Sequence, residues 1–477
     1  MTDALREELA RIGDGAAPVT VAPDVWARGR RARRRDRVVL GAAALTVLVA
    51  LAGLGLTVRG VAHDAAPVGT GVEAVPSVIQ GVPQRLIRNY ESGEVWDRRV
   101  GETDLAIGRG AMAFGSGQSV YEPVVVTAAD GVYHPLELPG WYGNTTAGFS
   151  ESNVPLALSP DGARLAWAWA DLDAPQRSPV PSGIRIGDLR TGHVRTIRLV
   201  GRDGIVVGAI AWSPDGRWLV WQGRMQTTWT RDTTRSGPNS EVAGRIGPGG
   251  VSQAVPLTQT SSVALAIENS GRVLLVGSHG WSTWGGRGVD RGFLRTREPD
   301  TLPGDGTAGA MSPAGHLALA GGVVPTSAVT FVNTGSRAAL DRNVPDPPYS
   351  EGALIQPVGW IDDDHVVVVA TAAHDVSDAG WRHGETRLAV VSAPWASDDV
   401  WKPVASFDTD YEKTGEIKAP TVAVDLMSLD HPTRDFPAPT WPWSDERKAA
   451  VIGGAALAVV AVLVFVVSHR RGRRLRD

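Results

Sequence analysis

Hydrophobic residues form two kinds of segment in this chain: one long uninterrupted run near each end, and many short alternating runs between them. Residues 38–58 (VVLGAAALTVLVALAGLGLTV) and 449–468 (AAVIGGAALAVVAVLVFVVS) contain no charged side chain. At about 1.5 Å per residue, about 20 apolar residues match the roughly 30 Å hydrocarbon core of a bilayer. Because buried core helices usually keep a polar face, the two runs predict two transmembrane helices.

Flanking charges predict the orientation of these helices. Arginines crowd the residues before the first run and after the second: Arg28, Arg30, Arg31, Arg33, Arg34, Arg35, Arg37, Arg470, Arg471, Arg473, Arg474 and Arg476. By the positive-inside rule both clusters stay in the cytoplasm, so the stretch between the runs is expected outside. Trp441 and Trp443, just before the second run, suit the aromatic belt of the outer interface. A cleaved signal peptide is the alternative for the first run, but its 37-residue basic leader is longer than usual.

The N-terminal tail, residues 1–37, shows one weak pattern of its own. Leu5, Leu9 and Ile12 recur at helical spacing after Thr2, a possible N-cap. This pattern indicates either a small amphipathic helix that docks on a cytoplasmic partner, or a frayed tail whose arginines contact anionic lipid. Residues 469–477 form a second basic cytoplasmic tail.

Between the two runs, an internal repeat dominates the pattern. Two segments carry it most clearly: LALSPDGARLAWAW from Leu156 and IAWSPDGRWLVWQG from Ile210. Each has a short apolar run, the turn SPDG and an alternating apolar strand, which predicts a β-hairpin. Proline presets the turn, and the glycine allows a positive φ.

Weaker copies extend the repeat in both directions. They begin at Leu105, Leu265, Gly309 and Val358, and consecutive copies lie 44 to 55 residues apart. This period suits one four-stranded blade of a β-propeller, and residues 183–201 supply two further strands after the copy at Leu156. The exported domain is therefore predicted to be all-β: a propeller of six, alternatively seven, four-stranded blades over residues 81–432. Residues 59–80 and the Pro/Trp-rich residues 433–448 are predicted linkers to the spans.

The repeat resembles the WD40-like repeats of TolB-type β-propellers, whose signature is an apolar strand followed by SPDG and a second apolar strand. The resemblance covers roughly residues 100–410, strongly in two copies and in degenerate form in four. It implies a propeller that scaffolds interactions, and it transfers no catalytic residues.

Ring closure and the core follow from the same prediction. We expect the apolar stretch from Thr421 to pair with a strand near residues 82–87, because closure removes exposed sheet edges. Tryptophans in the predicted strands are expected in the core and not at a ligand site: Trp167, Trp212, Trp221 and Trp360.

Four long segments follow the second strand of a repeat: residues 171–182, 225–244, 278–292 and 372–385. Because the same position recurs, they are expected to crowd one face, opposite the SPDG turns, where long loops often bind ligands. Trp and Arg are common interface anchors. The predicted binding residues are Trp229, Trp281, Trp284, Arg287, Trp381 and Arg382. The alternative is a set of solvated insertions without a partner.

Composition narrows the chemistry. The chain has no cysteine, which excludes disulfides, thiolate metal sites and cysteine nucleophiles. Only four lysines accompany many arginines, a bias associated with high-GC bacterial genomes such as those of actinobacteria. Of the net charge of −4, residues 1–37 and Arg59 contribute +4 and residues 448–477 contribute +5, which leaves −13 for residues 60–447. Such an acidic domain disfavours nucleic acid as a partner.

Catalytic motifs are absent from the sequence. No GxSxG nucleophile elbow or GxxxxGKS phosphate loop occurs. The cluster His374, Asp375, Asp378, His383 and Glu385 has metal-binding side chains, but its spacing matches no HExxH or EF-hand pattern. Asp362, Asp363 and Asp364 occupy the turn position of the repeat and are interpreted as turn residues. We predict no cofactor and no metal.

The sequence thus favours a membrane-anchored, extracytoplasmic propeller that binds an envelope protein or glycan without catalysis. Two alternatives remain: a signalling protein whose N-terminal tail binds a cytoplasmic regulator, and a propeller enzyme of the lyase, lactonase or hydrolase kind.

Overall fold

A computed structural model describes most of the region between the two apolar runs, and it divides the chain into two compact units. Residues 66–444 form one unit, and residues 1–65 with 445–477 form the other. The described residues are 7, 11, 72–87, 105–117, 121–142, 154–171, 179–199, 203–229, 234–257, 262–277, 280–286, 289–292, 307–321, 328–333, 338–343, 354–371, 386–408, 414–439, 441, 451–454 and 462.

Six sheets of four or five strands form the larger unit, as the blades of a β-propeller. The strands of each blade are named from its inner to its outer edge. Blade 1 contains β26 (Glu416–Val422), β2 (Gly110–Gly117), β3 (Tyr121–Thr127) and β4 (Tyr133–Pro135). Blade 2 contains β5 (Leu156–Leu158), β6 (Arg164–Ala170), β7 (Ser182–Asp188) and β8 (Val194–Arg198). Blade 3 contains β9 (Ile205–Trp212), β10 (Leu219–Trp229), β11 (Thr234–Ile246) and β12 (Ser252–Val255).

The other three blades follow the same order, and two of them carry an extra strand. Blade 4 contains β17 (Thr307–Ala308), β13 (Ser262–Ile267), β14 (Val273–Gly277), β15 (Gly280–Trp284) and β16 (Val289–Gly292). Blade 5 contains β18 (Ala310–Met311), β19 (His316–Gly321), β20 (Ala328–Asn333) and β21 (Ala338–Asn343). Blade 6 contains β22 (Leu354–Trp360), β23 (His365–Thr371), β24 (Thr386–Ser392), β25 (Trp401–Asp408) and β1 (Val78–Gln80). Two 3₁₀ helices lie at Gln84–Leu86 and Val424–Leu426.

Burial falls from the inner to the outer strand of a blade, as blade 2 shows. In β6 only Arg164 is not fully buried, whereas in β8 only Ile197 is buried. A strand covered on both faces by neighbouring blades must be apolar on both faces, while an outer strand meets water. This gradient explains the continuous apolar run of β6 and the polar alternation of β8.

The core is divided into six hydrophobic clusters, one at each junction between neighbouring blades. Trp167 lies in the cluster between blades 1 and 2, and Trp221, its equivalent in the next repeat, lies between blades 2 and 3. Trp167, Trp221 and Trp360 are at most 4% exposed, as predicted for core residues. Trp212 differs from the prediction, because it is only half-buried. The core thus joins consecutive blades into a ring, and the prediction of six blades is confirmed.

The ring closes through a different pair of strands from the predicted one. β26 pairs antiparallel with β2, so that Val422 lies opposite Met112. Blade 1 therefore combines an inner strand from the C-terminal part of the domain with three strands from its N-terminal part. The segment predicted as the partner, residues 82–87, contains a 3₁₀ helix, and the preceding β1 pairs parallel with the outer strand of blade 6. The copy at Leu105 lacks a first strand of its own, and β26 fills that position.

Two of the four predicted long loops are mostly strands. β10 and β11 extend as one hairpin joined by residues 230–233, within the predicted loop 225–244. β15 and β16 account for most of the predicted loop 278–292. Both segments are rich in Gly, Ser and Thr, so their hydropathy resembles that of a loop although their backbones pair. The other two loops do separate the second and third strands of their blades, and residues 172–178 and 372–385 lie outside the described residues.

The two ends of the propeller unit lie side by side, although residues 59–80 and 433–448 were predicted as linkers. Pro76 forms a parallel bridge with Arg434, and the N–H of Ser77 donates to the carbonyl oxygen of Arg434 at 2.9 Å. Farther along, Trp441 packs edge-on against Tyr133 of blade 1, with ring centres 5.4 Å apart. Parts of both predicted linkers therefore belong to the folded unit.

Among the described residues, no helix is long and apolar enough to cross a membrane. Most of the two predicted spans lies outside these residues, and so does most of the predicted amphipathic helix of the N-terminal tail. Within the second predicted span, residues 451–454 and Val462 are helical and exposed.

Candidate functional site

Turns between the first and second strands of the blades meet on one rim of the ring. Hydrogen bonds join neighbouring turns: the N–H of Asp215 donates to Asn269 Oδ1 at 2.8 Å, and the N–H of Ala314 donates to Asp363 Oδ1 at 2.7 Å. In blade 1, the N–H of Asp425 donates to the carbonyl oxygen of Pro160 at 3.0 Å. We call this surface the turn rim and define it by residues 159–162, 213–216, 268–271, 312–315 and 361–364.

Within the SPDG turns, the serine hydroxyl forms a hydrogen bond with the aspartate carboxylate. Ser159 Oγ donates to Asp161 Oδ1 at 2.5 Å and accepts the N–H of Arg164 at 2.9 Å. Ser213 repeats both contacts, with Asp215 at 2.6 Å and the N–H of Trp218 at 3.0 Å. Both serines are fully buried. The polar residues of the motif therefore hold the turn together.

A cleft of about 190 Å³ opens on the turn rim between blades 2 and 3. Its floor is apolar and consists of Ile186, Leu219, Ile246 and the half-buried ring of Trp212. Trp212 is fixed because its indole N–H donates to the carbonyl oxygen of Ala157 in blade 2 at 3.1 Å. Both walls of the cleft are thus provided by packed strands of two blades.

Basic side chains surround this floor: Arg164, His193, Arg195 and Arg217. The guanidinium carbon of Arg164 lies 5.0 Å from the centre of the Trp212 ring, a cation–π geometry. Arg195, at the start of β8, donates to the carbonyl oxygen of Gly249 across the cleft. Arg217 is exposed on the turn of blade 3. Among the described residues, none of the three arginines forms a salt bridge with a carboxylate.

Among the described residues, Asp188 is the only acidic one that lines the cleft. Its Oδ1 accepts the N–H groups of Arg190 and Thr191, each at 2.9 Å. Burial opposes its ionisation, but these hydrogen bonds outweigh burial and lower the pKa of Asp188. Three guanidinium groups against one carboxylate leave the cleft positive, in a domain whose net charge is negative. Such a site suits an anion.

A second arginine–tryptophan contact lies at the junction between blades 3 and 4. The guanidinium carbon of Arg245 lies 4.9 Å from the ring centre of Trp218 and 4.5 Å from that of Trp284. Its Nε donates to Gln253 Oε1 at 2.9 Å, and its Nη1 donates to the carbonyl oxygen of Gly271. Arg245 is buried and Trp284 half-buried. The arrangement fastens blade 3 to blade 4.

His365 forms an ionic cluster in blade 6. Its Nδ1 lies 2.8 Å from Asp362 Oδ1, and its Nε2 lies 3.1 Å from Asp398 Oδ2. Both ring nitrogens can donate only when the imidazole is protonated. Burial by itself would lower the pKa of His365, but the hydrogen bonds to the two carboxylates outweigh burial and raise it. Asp362 was predicted as a turn residue, and it does accept the N–H of Asp364 at 2.8 Å. Its pairing with a histidine was not predicted.

We expect this cluster to make stability depend on pH. Because the pKa of His365 is higher in the folded protein, the contribution is complete below the unfolded value of about 6.5 and is lost as the pH rises through the folded pKa. The urea midpoint of the full-length protein should therefore fall as the pH rises through that interval. His365→Asn should remove this part of the pH dependence of the midpoint. His193→Gln, at an exposed histidine, is the control. If the urea midpoint of His365→Asn keeps the same pH dependence, the cluster around His365 is not its cause.

The structure describes only part of the predicted binding set. Trp284 lies opposite Val273, close to the turn rim, whereas Trp281 lies opposite Val276, toward the other end of the strand. Trp229 ends β10 at the tip of the long hairpin, opposite Thr234. The side chains of Trp229 and Trp281 are outside the described part of the chain, as are residues Arg287, Trp381 and Arg382 as a whole. The loop-face hypothesis stays a prediction for these residues, but Trp284 belongs to the opposite end of its blade.

Among the described residues, no group of three or more His, Asp or Glu side chains is arranged so that it could hold a metal ion. The residues considered for a metal from the sequence, between His374 and Glu385, lie outside the described ranges.

The arginines of the cleft were not identified from the sequence. Arg164 and Arg217 carry a local signal, because each follows an SPDG turn and must therefore lie near the turn rim. Arg195 carries no such signal. It reaches the cleft only because the start of β8 in blade 2 lies beside the turn at Gly249 in blade 3.

No protein-family model matches the sequence, and no curated protein matches it. Among solved structures, the chain is similar to a puromycin-hydrolyzing peptidase of Mycobacterium tuberculosis, with 14% identity, a TM-score of 0.37, and coverage of 64% of this chain and 47% of the peptidase. It is also similar to a putative TolB from Agrobacterium tumefaciens, with 12% identity, a TM-score of 0.34, and coverage of 65% and 98%. An oligogalacturonate lyase in complex with manganese shows 12% identity, a TM-score of 0.36, and coverage of 62% and 78%. The chain thus spans about half the length of the peptidase, and at these identities the similarity concerns the fold and not an activity.

Proposed function

We propose that this protein is a membrane-anchored, extracytoplasmic β-propeller that binds an envelope protein or glycan and does not act as a catalyst. The observation that carries the proposal is the positive cleft on the turn rim, where Arg164, Arg195 and Arg217 surround an apolar floor that includes Trp212. Arginine and tryptophan are the residues that most often anchor interfaces. Trp212 is fixed by its hydrogen bond to Ala157 and contacts Arg164, so this part of the site is ordered before binding.

Anchoring at both ends is supported by the two uncharged apolar runs and their flanking arginines. Within the second run, Val451 and Ile452 are helical and expose 42% and 52% of their surface, as lipid-facing side chains do. The side-by-side ends of the propeller unit are compatible with two spans that hold one exported domain.

Protease protection tests this topology. Tags are placed at the N-terminus, at the C-terminus and within residues 372–385, which join β23 to β24. In intact cells or protoplasts, we expect protease to remove only the middle tag. Protection of the middle tag together with cleavage of the end tags would overturn the exported orientation.

Cosedimentation tests the binding activity. The purified full-length protein is mixed with isolated cell envelopes of the producing bacterium, and the bound fraction is measured as the protein concentration rises. We expect saturable binding. A bound fraction that rises linearly, without saturation, would overturn the proposal.

A second candidate, propeller-based hydrolysis or lyase chemistry, is favoured by one observation near the SPDG turn of blade 2. Burial and the nearby charge of Asp161 raise the pKa of Asp425. Burial alone would raise the pKa of Asp161 as well, but the hydrogen bonds that Asp161 accepts from Ser159 and Ala163 outweigh burial and lower it. Neighbouring carboxyl groups with pKa values pushed apart are typical of acid–base pairs. Turnover of a glycan or ester substrate that is lost in Asp425→Asn would favour this candidate over simple binding.

A further inference from the structure

We propose that the cleft between blades 2 and 3 binds the phosphate group of a phosphorylated sugar, so that the glycan ligand carries phosphate. This inference rests on the proposed function and names the chemistry of its ligand. The cleft belongs to the turn rim, opposite the loop face that the sequence indicated.

The positive charges come from three separate elements. Arg164 is the first residue of β6, Arg195 is the second residue of β8, and Arg217 lies between the SPDG turn and β10. A planar carboxylate is usually matched by one bidentate arginine, whereas a tetrahedral phosphate offers oxygens in several directions and accepts donors from several sides. Convergence of three arginines from three elements therefore favours phosphate over carboxylate.

Each arginine keeps donors for a ligand. The guanidinium of Arg164 lies over the ring of Trp212, and among the described residues no acceptor takes a hydrogen bond from it. Arg195 donates one N–H to Gly249 and has four more. Among the described residues, the charge of Arg164 acts on Asp161, but none of the three arginines forms a salt bridge, so an incoming anion does not have to break one.

Asp188 and the floor of the cleft explain why the phosphate belongs to a sugar. The Oδ1 of Asp188 is occupied by main-chain N–H groups. A carboxylate at this position would repel a second anionic group of the ligand. It can accept a hydrogen bond from a sugar hydroxyl, because each of its oxygens has two lone pairs. The apolar floor of Ile186, Leu219 and Ile246 suits the C–H face of a sugar ring. The cleft has a volume of about 190 Å³, which is smaller than a drug-sized pocket of about 300 Å³ or more. It therefore holds one phosphorylated sugar of a longer glycan chain.

Calorimetric titration of the full-length protein tests the proposal. The probes are glucose 6-phosphate, glucose, inorganic phosphate and a hexaglutamate peptide, all at constant ionic strength in chloride, because salt screens non-specific attraction. We expect glucose 6-phosphate to bind more tightly than inorganic phosphate, and glucose to give no heat. Loss of one charge-assisted hydrogen bond should weaken binding about tenfold or more in Kd, so Arg195→Ala and Arg217→Ala should each show this change.

Arg198→Ala is the matched control. Arg198 is exposed and lies on β8, the strand that also contains Arg195, but it does not line the cleft. Its replacement should leave the Kd unchanged. Equal weakening by Arg198→Ala and Arg195→Ala would show general attraction to a basic strand and would overturn the proposal. Absence of binding by both phosphate probes would overturn it as well, and tighter, Arg217-dependent binding of hexaglutamate would replace it with an acidic-peptide site.

Cosedimentation with cell envelopes separates this proposal from the proposed function. If Arg195→Ala/Arg217→Ala binds envelopes as well as the original protein does, the binding function stands and the phosphate site is wrong. If the original protein binds glucose 6-phosphate but not envelopes, the cleft is confirmed and the envelope-binding function is wrong.

Discussion

Replacement of Trp221 by alanine is expected to lower the free energy of unfolding of the full-length protein by about 3 to 5 kcal/mol, the usual range for a buried tryptophan. Trp221 is 0% exposed and belongs to the hydrophobic cluster between blades 2 and 3. Its indole lies directly over Gly244 on the neighbouring strand, where a Cβ would lie 2.5 Å from the ring. The rigid backbone at that glycine cannot fill the space that alanine leaves, so a cavity remains between the blades.

Trp221→Phe is the control for this effect. Among the described residues, the buried indole N–H of Trp221 has no hydrogen-bond acceptor, so phenylalanine removes an unsatisfied donor and keeps most of the apolar contact. We expect a loss well below that of alanine. Urea unfolding followed by far-UV circular dichroism measures both variants without dependence on tryptophan fluorescence. If Trp221→Ala and Trp221→Phe lower the free energy of unfolding equally, the volume of the ring is not what stabilises this junction.

The second large effect is expected at Gly162, in the SPDG turn of blade 2. Gly162 has a φ of +70°, and a Cβ would lie 2.1 Å from the carbonyl oxygen of Gly110 in blade 1. The same glycine accepts the N–H of Gly110 at 2.8 Å, so the two backbones are in direct contact. Alanine would add the left-handed backbone penalty of about 1 to 2 kcal/mol and would also force the two blades apart. We expect Gly162→Ala to lower the free energy of unfolding by about 3 kcal/mol or more, once the lost hydrogen bond is included.

Gly216 provides a matched control, because it occupies the same place in the SPDG turn of blade 3. Its φ is +63°, but a Cβ there would meet the Nη2 of Arg164 at 3.0 Å, the end of a flexible side chain. Gly216→Ala should therefore show only the backbone penalty of about 1 to 2 kcal/mol. If both variants lose the same stability, the contact between Gly162 and Gly110 does not hold the blades together.

Where the sequence pattern succeeded, the interaction was local. The SPDG turns, the strands on either side of them and the buried Trp167 and Trp221 all follow from residues within about a dozen positions of one another. Where the pattern failed, local hydropathy was ambiguous. Residues 225–244 contain polar residues that readily form β-strands. A hairpin that extends beyond its blade tolerates such residues, so its hydropathy in the sequence resembles that of a loop.

By itself, the sequence determined the propeller class, a choice between six and seven blades and the positions of most central strands, because alternating apolar residues and a glycine turn specify a hairpin wherever they occur. Tertiary structure alone decided the closure of the ring by β26 with β2, since that pairing joins residues about 300 positions apart and has no local signal. It also decided which arginines meet in the cleft. Arg164, Arg195 and Arg217 become neighbours only when the packed cores of two blades set the distance and angle between them.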